Sequence, residues 1–231
     1  MHPHKFLVSI ALILTFTHST KAQQQKAPPG GRIAVVVDER LAALRATPEL
    51  AGKLIRRLGR GRLVAIRGSR RREGVMFLLV NVSSRTHGWI QQEAIVSPSH
   101  PGDDLRLLSL IKSATDFDRI ARARIFLNYF VRSPFRPEVL LILGDAAEQA
   151  STRLSRDALR RLGDGGVPSD FSYLMNYAGL DRYNRQGVVF VFDRVEKRFH
   201  YNGAAWREIL RRYPKSLQAP QARQRLEKLL S

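Results

Sequence analysis

The side chains that most often carry chemistry are thinly supplied in this chain of 231 residues, which has 6 histidines and no cysteine. Beyond the first 22 residues the histidines are His87, His100 and His200, and no H-x-x-H or H-E-x-x-H spacing joins them. A zinc hydrolase needs such ligands converging with a carboxylate. Glu196 with Asp193 offers the two carboxyl groups of a glycosidase, although pairs of this kind arise on any polar surface. Without cysteine there is no thiol nucleophile, no disulfide framework and no lipidated cysteine. The sequence also lacks G-x-S-x-G, a glycine-rich phosphate loop and a calcium loop. These absences predict no catalytic residue, no metal site and no cofactor, and hence a protein that is not an enzyme.

Binding chemistry is better represented. Phe77 and Trp89 are aromatics that can supply a large contact area, and Trp89 adds a polar edge. Arg45 offers a planar donor, and Arg70, Arg71 and Arg72 crowd a segment from Gly68 to Gly74 that reads as a hairpin loop with a basic, anion-attracting tip. They follow Arg56, Arg57, Arg60, Arg62 and Arg67 in a chain of formal net charge +19. Such an excess draws polyanions. Inside a cell that would first mean nucleic acid; outside the cytoplasm, anionic glycans, wall polymers and phospholipid headgroups take its place.

The elements that must position these residues begin after an N-terminal leader. Met1 to Lys5 is weakly basic, Phe6 to Phe16 is an apolar run, and small Ala22 precedes Gln23. This is the layout of a cleaved signal peptide over residues 1–22, and a run of eleven residues, broken by Ser9 and Thr15, is too short to span a hydrocarbon core of about 30 Å. The expected location is periplasmic or secreted, with membrane contact only through the signal peptide. Residues 23–31 (QQQKAPPGG) read as a flexible tether.

From Ile33 to Ile95 short apolar runs alternate with Gly or Pro every eight to twelve residues, which predicts a small antiparallel barrel over residues 32–97. Ala43-Leu44-Arg45, Pro48, Leu58, Gly61, Phe77 with Val80, and Gly88-Trp89-Ile90 resemble the order and gaps of the bacterial SH3 (SH3b) family. Phe77 stands where that family has Trp, and Ser83 to Arg85 replaces its glycine-containing turn. The resemblance implies an SH3-like barrel whose aromatics either pack its interior or line a groove for wall peptide, glycan or protein.

Residues 98–102 read as a linker, and the hydrophobic period then changes. Leu105, Leu108 and Ile111 predict one helix; Ile120, Ala123, Phe126, Leu127 and Phe130 a second; Leu140, Leu141, Leu143, Ala147 and Ala150 a third, beginning at Pro137 and ended by Gly163 to Gly166. Laying Ala121 to Leu143 on Ala204 to Leu226 gives 6 identities in 23 columns. With Arg212 to Ser216 (RYPKS), residues 103–231 resemble tetratricopeptide-like helical units of bacterial envelope proteins. Asp170 to Tyr183 reads as helical, whereas residues 184–203 fit either a helix or a hairpin. The fold class expected is α+β and multidomain. The function expected is an exported adaptor, whose barrel binds a cell-wall component or protein and whose helices bind a protein partner. The alternatives are a purely electrostatic polyanion binder and an accessory wall hydrolase.

Overall fold

The computed structural model describes residues 28, 30–163, 178–193 and 195–230, so the expected signal peptide and nearly all of the tether lie outside the described residues. Within them the chain is α+β. Seven strands come first: β1 Arg32–Val36, β2 Ala43–Arg45, β3 Leu54–Arg57, β4 Leu63–Arg72, β5 Val75–Asn81, β6 His87–Gln91 and β7 Ile95–Val96. Helices α1 Asp103–Ser113, α2 Asp116–Tyr129, α3 Arg136–Gly163 and α4 Ala178–Asn184 follow. The hairpin β8 Phe190–Asp193 and β9 Arg198–Tyr201 leads to α5 Ala204–Arg212 and α6 Ala219–Leu230. No helix among the described residues is long and apolar enough to cross a membrane.

The first seven strands form one antiparallel sheet in the order β3-β2-β6-β5-β4-β1-β7. Its ends, β3 and β7, do not pair, so the sheet is open where the sequence pattern predicts a closed barrel. The β1–β7 end is covered by the helices. Val35, Val37, Leu63 and Val96 join the cluster that also holds Leu107, Ile111, Ile120, Phe126 and Val139 of the helices. The helical layer thus packs on one face of the sheet at its β1–β7 end. The alternate residues Val36 and Val64 of β1 and β4 face the opposite way, into a second cluster with Leu44, Leu78, Val80 and Ile90 of β2, β5 and β6, as the two-residue period of a strand requires.

Strand β4 runs further than its glycines suggest. Gly68 lies inside it, at a register shift between Ile66 and Gly68, and pairing continues to Arg72 opposite Val75. The reversal is confined to Glu73 and Gly74, both at positive φ (51° and 76°). Two left-handed residues in succession make the tight turn whose twist suits a hairpin. Arg70, Arg71 and Arg72 are therefore strand residues, not the tip of a loop.

The segment between sheet and helices is held from both sides. Ser97 donates its backbone N–H to the Asp103 carboxylate at 2.7 Å and its hydroxyl to the Ile33 carbonyl at 2.7 Å. Arg122, almost fully buried on α2, donates to the Val37 carbonyl at 3.3 Å and pairs with Asp38 at 3.5 Å. Arg60, in the turn before β4, reaches Asp118 at 2.8 Å.

The sequence echo has a geometric counterpart. Each of α2 and α5 ends in a hydrogen bond four residues back, Phe130 to Phe126 and Tyr213 to Ile209. Each then turns through Ser133 to Phe130 and Ser216 to Tyr213, and the next helix opens with Val139 to Phe135 and Ala222 to Gln218. These three bonds of the second turn lie at one constant sequence offset from those of the first. Arg136, buried at the start of α3, ties the two turns together by donating to the Leu127 carbonyl at 2.7 Å and the Tyr213 hydroxyl at 3.0 Å.

Candidate functional site

Arg45, Trp89 and Leu79 are direct cross-strand neighbours on β2, β6 and β5, and the row continues to Leu54 on β3. Cross-strand neighbours share a face of the sheet. This is the face turned away from Leu44, Leu78, Val80 and Ile90. Trp89 is half-buried. The Arg70 guanidinium sits 5.9 Å from its ring centroid, within reach of the attraction between a cation and an aromatic face. Arg45 is anchored by donating Nη1 to the Gly52 carbonyl at 2.8 Å.

The close approach of β2 to β6 depends on Gly88. A Cβ there would lie 2.7 Å from the Arg45 carbonyl oxygen and 2.9 Å from Leu44 Cγ. The Gly88-Trp89 pair seats the strand with the glycine and presents the indole on the opposite face with the next residue.

The remaining predicted residues divide. Phe77 lies directly opposite Arg70 and Gln91, on the same face by alternation, but it is fully buried. It is wholly covered and offers no surface to a ligand. Arg72 alternates onto the Trp89 face with Arg70, and Arg71 onto the other. All three are exposed, and among the described residues none is paired with a carboxylate.

Glu196 and Asp193 do come together with His200 at the end of the β8–β9 hairpin, where their donor atoms lie within 4.8 Å of one another. Asp193 Oδ1 accepts the N–H groups of Val195 at 2.7 Å and Glu196 at 3.0 Å. Those bonds hold its carboxyl below the ordinary carboxylate range. A glycosidase's general acid must be shifted the opposite way. Glu196 contacts His200 at 3.1 Å, and Arg198 donates to both, reaching the His200 ring at 3.0 Å. A guanidinium thus already supplies the positive charge that a metal ion would bring, and the cluster has the layout of a stabilised turn.

Sequence reasoning missed Asp38, Arg60, Asp118 and Arg122, the charged seam between sheet and helices. The only signal was an arginine, Arg122, on the apolar stripe of a predicted helix. No protein family matches the sequence, and neither a curated protein nor a solved structure is significantly similar to it.

Proposed function

We propose that this chain is an exported, non-enzymatic binding protein of the bacterial envelope, whose sheet takes an anionic cell-wall peptide or glycan, or a protein, on the Trp89 face. The observation that carries the reading is the convergence of Trp89, Arg70 and Arg45 on one side of a rigid sheet. The aromatic offers contact area, and the arginines offer fixed donors to carboxylate or phosphate. The SH3b-like order of residues from Ala43 to Ile90 supports it, as does the leader pattern of residues 1–22. The repeated turns after α2 and α5 support a tetratricopeptide-like role for the helical layer as the seat of a protein partner. A periplasmic or secreted location follows from the same reading.

The test is retention of the purified protein, from Gln23 onward, on peptidoglycan at low and high salt, beside a folded Trp89→Ala variant. Retention at high salt that the variant loses is the expected result. Binding that disappears with salt and ignores Trp89 would leave the second reading, a polyanion binder working through charge alone, which the unpaired Arg70, Arg71 and Arg72 favour. Turnover of the wall material, lost on substitution of Glu196, would instead make the protein an accessory hydrolase.

A further inference from the structure

Strand β3 is the outermost strand of the sheet and pairs only with β2. Unlike β7, it is not covered: all four of its residues are exposed, with Leu54 and Ile55 each 46% accessible. Leu50, in the turn leading into it, is exposed as well. Four exposed residues next to an open ladder are an invitation to another strand.

The backbone shows which groups are free. Leu58 donates its N–H to the Ala42 carbonyl at 2.9 Å. Successive residues of a strand point their N–H and C=O groups to opposite sides. Arg57, one position earlier and opposite Ala43, therefore turns its N–H and C=O to the open edge.

Charge then selects the partner. Lys53, Arg56 and Arg57 are exposed, and among the described residues none has a carboxylate partner. Pairing β3 with a second copy of itself would crowd a second Lys53, Arg56 and Arg57 into the same short ladder, which like-charge repulsion opposes. A strand carrying carboxylates meets no such penalty, and its apolar residues would cover Leu54 and Ile55. We infer that the open edge of β3 is a docking site for an extended, acidic segment of a partner protein, added to the sheet as an eighth strand.

The probe is an N-acetylated hexapeptide of alternating valine and glutamate, with the valine–lysine hexapeptide and phosphatidylglycerol vesicles beside it. Binding to the purified protein is followed by titration calorimetry, and its place by amide hydrogen exchange. The acidic peptide is expected to bind and to slow exchange at residues 54–57, while the lysine peptide does neither. Arg57→Pro removes an outward N–H, and the double change Arg56→Glu, Arg57→Glu reverses the charge. Each is expected to weaken binding by at least about tenfold, with circular dichroism showing both variants folded. No binding at about 1 mM acidic peptide overturns the inference. So does binding that slows exchange elsewhere and leaves residues 54–57 unchanged. Capture of the β3 edge by vesicles but not by the peptide would make it a lipid-facing surface, and would equally overturn it.

Discussion

Trp206 packs flat against the backbone of Gly144: a Cβ at that position would come within 2.2 Å of the indole Nε1. The contact locks α5 onto the middle of α3, and Trp206 is among the largest fully buried side chains of the chain. Only a residue without a side chain fits between them.

Gly144→Ala should therefore destabilise the protein although alanine is the better helix former. Overpacking of a close-packed core costs about 1–3 kcal/mol. Gly59→Ala is the control, since a Cβ there meets nothing within 4 Å. Thermal melts of the two variants should show a clear drop for the first and little change for the second. Equal melting temperatures would mean that Trp206 can move aside.

Arg122 is buried with Asp38 at the seam of sheet and helices. Removing one partner of a buried ion pair costs about 3–5 kcal/mol, because it strands the other charge. Asp38 retains Arg40 as a second partner at 3.1 Å, so the loss on Arg122→Ala should fall at the lower end of that range. The same substitution should separate the melting of the two layers. In the wild type a strand probe and a helix probe should report one transition. Coincident transitions in the variant would show that Arg122 is not what couples them.

Two carboxyl groups at this seam are held below their ordinary range, Asp38 by its hydrogen bond with Arg40 and Asp118 by its hydrogen bond with Arg60. A carboxyl whose pKa is lower in the folded state adds stability above its unfolded value of about 3.9, and loses that contribution as pH falls through the folded value. Asp118→Asn should thus lower the urea midpoint at about pH 6 and make less difference at about pH 3. A gap that widened on acidification would contradict the assignment.

The two tryptophans should respond differently to quenchers. Trp206 is fully buried, whereas Trp89 is half-buried beside Arg70. Iodide, drawn by the unpaired arginines of that face, should quench Trp89 more than caesium does, and added salt should narrow the difference. In Trp89→Phe the remaining emission should resist both ions. Equal quenching by the two ions in the wild type would show that the face is not electropositive.

Much of the sheet was legible because its strands obey the alternating pattern and its turns carry glycine or proline. Gly88-Trp89-Ile90 was legible as a strand segment, but the close approach that Gly88 permits and the partial exposure of Trp89 were not. The docking of the helical layer on the β1–β7 end was not legible, because it depends on residues far apart in sequence, such as Val37 and Arg122. The placement of Arg70 to Arg72 was misread because Gly68 looked like the start of a loop. It sits at a register shift that lets the strand continue. Nor could the sequence tell that Phe77 is wholly covered while Trp89 is not, since both occupy the same face. The β8–β9 hairpin was one of two readings because Phe190 to Tyr201 is too short for a period to emerge. The repeated helical turn was visible as spaced identities, but the Arg136–Tyr213 bond that joins its two copies was not.

The apolar seam also decides how the gene can be cut. Residues 98–102 look like a natural place to divide the chain. Yet Val35, Val37, Leu63 and Val96 belong to the same buried cluster as the residues of α1, α2 and α3. A fragment ending there would carry a bare aliphatic face into water, and its helical complement would expose the matching one. Recombinant halves should precipitate when made alone and dissolve when made together, so the smallest expressible unit of this protein should include both layers.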